Sequence, residues 1–256
     1  MMKEVEYMDL LKKKYRLLKA FYYYSRRAAD LPYPPIYLQI ESTSHCNLRC
    51  AMCFHSVPAE KRKEGYMSLE LYKKIIDEVR HYIYRVSLHH RGEALLHKDI
   101  VKMIKIAADA GVRTNIHTNG TLLTQEKAKG ILDAGLDELH FSFDGTSREI
   151  FEKMRRGADY DKTLANITRF LELKKQSGAV KPAVEIQALK TDLDQPDPSV
   201  KLREMFAGLP VDKFSTGVLI NWGGDYKEKS DQDIVAPRGS YNPCKTIWTD
   251  AVIGWD

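Results

Sequence analysis

A chain of 256 residues with 43% hydrophobic and 29% charged side chains has the apolar content for one large domain and a fragment of another, and no apolar run reaches membrane-spanning length. Four cysteines, three of them clustered, and the lack of a signal peptide argue against a small secreted disulfide scaffold, and a cytoplasmic protein is expected. A formal net charge of +5 is modest for this length and does not by itself indicate nucleic-acid binding.

Residues 1–30 form a first segment rich in Lys, Arg and Tyr, in which Leu11, Tyr15, Leu18 and Tyr22 recur at helical spacing. The pattern predicts an amphipathic helix laid on the main domain with its basic side chains in solvent; a docking surface for an acidic partner or membrane face is the alternative. Leu31-Pro32-Tyr33-Pro34-Pro35 ends the helix, because proline cannot continue it, and a strand follows through Glu41. A helix near 69–80, with Ser68 as its cap, leads to a strand near 84–88. The next helix carries Ile100, Met103, Ile104, Ala107 and Ala108, stops at Gly111, and gives way to the strand Arg113 to His117. Thr124 opens a helix that closes near Gly135, and Asp137 to Phe143 reads as a strand. Thr146 and Glu149 form a capping-box pattern before a short helix ending near Met154. A longer helix from about Asp161 to Gln176, strands near 183–189 and 213–218, and a helix around 199–207 complete about six β/α units. Such alternation implies parallel strands with right-handed crossovers, in an open doubly wound sheet or a complete or partial barrel.

The most informative run is Ser44-His45-Cys46-Asn47-Leu48-Arg49-Cys50-Ala51-Met52-Cys53-Phe54, straight after the first strand. Thiolates at this spacing can converge on one metal centre, and soft sulfur ligands favour zinc or an iron–sulfur cluster. Structural zinc needs a fourth ligand, from His45, His55 or Cys244. A cubane held by three cysteines leaves one iron open to a cosubstrate. Parallel α/β folds gather chemistry at the carboxyl ends of their strands, which is where this run and the next three motifs lie.

The run resembles the cluster loop of the radical S-adenosylmethionine (SAM) enzymes, C-x3-C-x2-C with an aromatic or Met before the last Cys, here Met52. His89-His90-Arg91-Gly92-Glu93-Ala94-Leu95-Leu96 resembles that family's Gly-Gly-Glu-Pro-Leu-Leu, with Arg91 in place of the first Gly and Ala94 in place of the Pro. Thr118-Asn119-Gly120 and Ser142-Phe143-Asp144-Gly145 match the segments after its third and fourth strands, and Arg155 lies in a stretch like that carrying an arginine for the SAM carboxylate. The resemblance implies a (β/α)6 partial barrel over 31–218, a [4Fe–4S] cluster on Cys46, Cys50 and Cys53, and SAM held by Met52, Gly92, Glu93, Thr118, Asn119, Ser142, Asp144 and Arg155. It also implies reductive cleavage of SAM to a 5′-deoxyadenosyl radical, an electron donor such as flavodoxin or ferredoxin, and a substrate that is a peptide or protein side chain. A small metabolite such as an aminocyclitol or sugar is the alternative substrate, and a non-catalytic zinc or cluster module the alternative function.

His89, His117 and His140 lie in or near strands, where structural imidazoles are common; His90 and His117 fall near strand ends and are candidates for proton transfer. Asn221-Trp222-Gly223-Gly224 and Tyr241 to Asp256 resemble the junction into a cysteine-rich extension called SPASM. On that resemblance 219–256 begins an auxiliary segment, Asp256 falls in mid-hairpin, Cys244 cannot hold a second cluster by itself, and the segment is expected to be poorly ordered.

Overall fold

The computed structural model describes residues 4–57, 63–144, 147–190, 197–219, 223–226 and 243–256. Helix α1 (Glu4–Ser25) precedes β1 (Tyr37–Ile40), followed by α2 (Leu69–Val79), β2 (Arg85–Ser87), α3 (Ile100–Asp109), β3 (Arg113–Thr118), α4 (Gln125–Ala134) and β4 (Glu138–Ser142). Helices α5 (Arg148–Met154) and α6 (Tyr160–Ser177) then lead to β5 (Ala183–Lys190), α7 (Pro198–Met205), β6 (Lys213–Val218) and β7 (Asp250–Ile253). The expected β/α elements are present with small shifts at their ends, because the local signals act as anticipated. Ser68 accepts a hydrogen bond from the Leu71 amide at the start of α2, Thr124 accepts one from Lys127 at the start of α4, and Gly135 ends α4 at a left-handed φ of 84°. At α5 the capping side chain is Ser147, accepting from Ile150; Thr146 and Gly145 lie outside the described residues.

The strands form one sheet in the order β6-β5-β4-β3-β2-β1-β7, every pair parallel. Alternation sorts its faces. Leu38, Ile40, Val86, Ile116, Leu139, Phe141, Val184 and Ile186 join a single apolar core with Ile76 of α2, Met103 of α3, Ile131 of α4, Phe170 of α6 and Leu202 of α7. The other face is polar, with Gln39, Arg85, His117, His140 and Glu185 along it. Helices on one face and a polar opposite face distinguish the partial barrel from a doubly wound sheet, whose strands are apolar on both sides. No described helix is long and apolar enough to cross a membrane.

Two expectations change. The α1 stripe foreseen as the packing face points away from the domain: Tyr15 is 63% exposed and Leu18 69%, and Leu11 and Tyr22 are exposed as well. The helix is anchored through the opposite side. Ala20 is buried, Arg16 donates to the Tyr82 carbonyl at 2.9 Å, and the Tyr24 ring meets Trp248 edge-on at 5.3 Å. Small and polar anchors of this kind leave no signal in an apolar periodicity. Within 219–256, Asn221, Trp222, Tyr241 and Asn242 lie outside the described residues, but Asp250–Ile253 is a full strand rather than half a hairpin. It runs parallel to β1 from Tyr37↔Asp250 to Ile40↔Ile253, and Trp248 donates to the Ala28 carbonyl just before it.

Within the core Phe143 is fully buried and within 5.0 to 6.1 Å, centroid to centroid, of Phe151, Tyr160 and Phe206. Phe143→Ala is expected to cost about 3–5 kcal/mol. Urea unfolding monitored by circular dichroism reads this directly, and an unchanged midpoint would show that the cluster of rings is not cooperative with the domain.

Candidate metal centre

The chain leaves β1 at Ile40 and turns across the carboxyl end of the sheet. Backbone pairing pins the turn first: Met67 donates to the Ser42 carbonyl at 2.9 Å, Thr43 bridges antiparallel to Tyr66, and Ser44 Oγ accepts from the Gly65 amide at 3.0 Å. The cysteine loop follows. Cys46, Cys50 and Cys53 are free thiols, each half-buried, and they lie on one continuous backbone turn in which Cys53 donates to the Cys50 carbonyl at 2.9 Å.

The segment after β2 presses on the first half of this loop. A Cβ at Gly92 would stand 2.1 Å from the Thr43 carbonyl oxygen and 2.6 Å from that of His45, so only glycine fits. The next amide, of Glu93, donates to the His45 carbonyl at 2.9 Å. The Glu93 side chain is only 4% exposed, and it accepts from the Leu95 amide at 3.0 Å, the Thr118 hydroxyl at 2.7 Å and the Asn119 amide at 2.9 Å. Burial raises its pKa, and these three donors act against the rise. Glu93 therefore ties the β2 loop to the end of β3, and Asn119 carries the tie onward: its side-chain amide donates to Asn47 Oδ1 at 3.0 Å, while Asn47 donates to Thr121 Oγ1 at 2.8 Å. Thr118 and Asn119, expected at the cosubstrate, are engaged with the protein itself.

Asp144 and Arg155 form a second tie. The Arg155 Nε lies 2.8 Å from Asp144 Oδ2, both side chains are buried, and the other carboxylate oxygen accepts from the Leu189 amide at 2.8 Å. Arg155 also meets the Cys50 thiol. Burial raises the Cys50 pKa and Arg155 lowers it in part; burial pushes Cys46 up to about 12. Met52 is a packing residue here, 7% exposed in a small apolar cluster with Ala51, Met154, Leu219 and Tyr226. Ser142 stands half-buried at the end of β4 opposite Gln187, on the same sheet face as His140.

The remaining sequence candidates have other partners. His45 Nδ1 is 3.0 Å from Glu64, His55 donates to the Arg91 carbonyl at 3.0 Å, and Cys244 is exposed and bonded to Thr246. Each of these three groups is thus engaged with a partner other than the three cysteines. The donor set fits an iron–sulfur cluster: three thiols lie on one loop, and at Cys46 and Cys50 burial opposes the ionised form, which suits a centre whose positive charge stabilises thiolate. His89, His117 and His140 stack as a column on the polar sheet face, with centroids 4.2 Å apart in each step. Burial and the neighbouring His140 lower His117 to about 4, while His90 is exposed and bonded to Gln39 at 3.0 Å.

Several loop-holding residues were not foreseen. Asn47 lies within the cysteine run and Arg156 beside Arg155, but neither they nor Thr121 and Asp225 were expected to hold the loop. The doublet Gly223-Gly224 was the available signal, since paired glycines mark a close backbone approach. From the geometry, Glu93→Gln is expected to lower stability by about 1–3 kcal/mol, because the amide can accept from only some of the three donors. Thermal unfolding of the purified chain checks this; a variant as stable as the parent would show that the buried carboxylate braces nothing.

Residues 40–180 match the family described as "Radical SAM superfamily". The chain is 29% identical over 162 residues to the tungsten-containing aldehyde ferredoxin oxidoreductase cofactor-modifying protein of Pyrococcus furiosus, covering 60% of this chain and 44% of that one. It is 32% identical over 151 residues to the PqqA peptide cyclase of Bradyrhizobium diazoefficiens, covering 57% of this chain and 39% of that one. Its fold is similar to that of Streptococcus suis SuiB in a structure with S-adenosylmethionine, with a TM-score of 0.62 at 18% identity over 77% of this chain and 44% of SuiB. The chain thus spans less than half the length of these relatives. Strands β2, β3 and β4 and the cysteine loop at the carboxyl end of β1 fall within the family match, and the chain belongs to the radical SAM superfamily.

Proposed function

We propose that this chain is the catalytic core of an enzyme that cleaves S-adenosylmethionine reductively and uses the product to remove a hydrogen atom from a peptide or protein side chain. The observation that carries the reading is the loop itself: three thiols of suitable spacing, held by neighbouring segments at the carboxyl ends of the strands. Cys46, Cys50 and Cys53 are the residues to hold a [4Fe–4S] cluster, leaving one iron for the cosubstrate. When bound, the cluster supplies one electron that splits a carbon–sulfur bond of SAM, giving methionine and a 5′-deoxyadenosyl radical.

The residues of the chain bind and orient. A carboxylate has about four acceptor positions, so the three hydrogen bonds to Glu93 leave one for the ammonium group of SAM, beside the backbone at Gly92. Ser142 at the end of β4 offers a hydroxyl on the polar face. Arg155, engaged by Asp144 and Cys50, compensates thiolate charge and is the candidate for the SAM carboxylate. The peptide substrate rests on the likeness to PqqA peptide cyclase, and the electron source is a small flavodoxin- or ferredoxin-type carrier. We carry residues 219–256 as the start of a SPASM-like auxiliary segment.

Anaerobic reconstitution with iron and sulfide, followed by dithionite and SAM, is expected to give about four irons per chain and 5′-deoxyadenosine in the products. Replacing Cys46, Cys50 and Cys53 together by Ala should abolish both. Zinc uptake without sulfide would contradict the cluster, and a full cluster with no 5′-deoxyadenosine would contradict the activity.

A further inference from the structure

The second half of the cysteine loop is held from two sides by backbone of the end of α5 and of a segment after β6. On one side the end of α5 supplies acceptors: Arg49 donates to the Arg156 carbonyl at 2.9 Å and Ala51 to that of Met154 at 2.8 Å. On the other side lies the segment Gly223–Tyr226, downstream of β6. Gly223 bridges antiparallel to Cys53, the Tyr226 amide donates to the Ala51 carbonyl at 3.1 Å, and the Asp225 amide donates to Ser56 Oγ at 3.1 Å.

The approach is as close as backbones allow. A Cβ on Gly224 would lie 2.2 Å from the Ala51 oxygen, 2.5 Å from the Met52 carbonyl carbon and 2.7 Å from the Cys53 nitrogen. All three are backbone atoms of the loop, so no side-chain adjustment can relieve the overlap. Gly223 has a φ of 82°, which favours glycine again. The two sides are then joined to each other: Asp225 takes both carboxylate oxygens to Arg156 Nη1, at 2.7 and 2.9 Å, across the loop. Beneath the strap, Leu219 and Tyr226 pack on Ala51, Met52 and Met154.

We propose that Gly223–Tyr226 is a strap that fixes the Cys50–Cys53 half of the loop, with Gly224 and Asp225 as positioning residues for the cluster ligands. The strap works independently of the Gly92 contact, which fixes the His45–Asn47 half. The functional consequence rests on the reading that this loop holds a cluster. Because the Arg156–Asp225 pair is half-exposed, it adds little strength, and the glycine contact carries most of the effect.

The two halves make a differential test. In the cluster-free full chain, iodoacetamide alkylation followed by mass spectrometry gives separate rates for Cys46 and Cys53. Gly224→Ala is expected to raise the Cys53 rate about tenfold while leaving Cys46 within twofold, and Asp225→Ala to act in the same direction by a smaller factor. A uniform rise at both cysteines would report general unfolding and overturn the strap, as would no change at Cys53. The reconstituted protein supplies the second readout: in Gly224→Ala the reduced cluster should show an altered electron paramagnetic resonance spectrum and faster bleaching by a chelator. An unaltered spectrum and bleaching rate would overturn the positioning role. Should the parent chain take up no iron and sulfide, the cluster reading fails, while the alkylation rates still decide the strap.

Discussion

Placement of the cysteine loop depends first on the approach of Gly92 to the carbonyl oxygens of Thr43 and His45. Residue 92 has no room for any side chain there, with a Cβ falling 2.1 Å from the nearer oxygen. Because the Glu93 amide donates into the same turn and the Glu93 carboxylate reaches the end of β3, one contact sets three strand ends relative to each other. Asn119 and Thr121 then hold Asn47 from β3, the end of α5 holds Arg49 and Ala51, and the strap after β6 holds Cys53. Segments after β2, β3, α5 and β6 thus all hold the ligand loop.

The electrostatics follow from that enclosure. Pressing the loop under its neighbours takes Cys46 and Cys50 partly out of water, which disfavours their ionised form and pushes Cys46 up to about 12. Arg155 beside Cys50 is the compensating cation, and Asp144 in turn holds Arg155, so the positive charge is itself positioned. Glu93 is treated in the opposite way, with three donors converging on a carboxylate that burial would otherwise neutralise. Both carboxylates act as braces between elements, a structural duty that coexists with their place at the carboxyl end of the sheet.

How much of this was legible in the sequence varies with the physics involved. The β/α series was, since caps such as Ser68 and Thr124 and terminators such as Gly135 act within a few residues. The cysteine spacing and Gly92-Glu93 are likewise local patterns, and the structure brings both to the carboxyl end of the sheet. What escaped was non-local. The side of α1 that packs is chosen by Arg16 reaching Tyr82 and by Tyr24 meeting Trp248, contacts across more than sixty and two hundred residues that outweigh the exposed stripe of Leu18 and Tyr15. Likewise β7 joins the sheet beside β1 from the far end of the chain, and the partners of Thr118, Asn119 and Arg155 are other protein groups that no periodicity could name.

The central claim is that close backbone packing, and not the cysteines alone, shapes the ligand loop. Gly92→Ala tests it most directly, since all three thiols remain and only the contact with Thr43 and His45 is disturbed. Iron and sulfide per chain after anaerobic reconstitution should fall to less than half of the parent value while the far-ultraviolet circular dichroism stays unchanged. A Gly92→Ala chain that folds and binds a full complement of iron and sulfide would contradict the account.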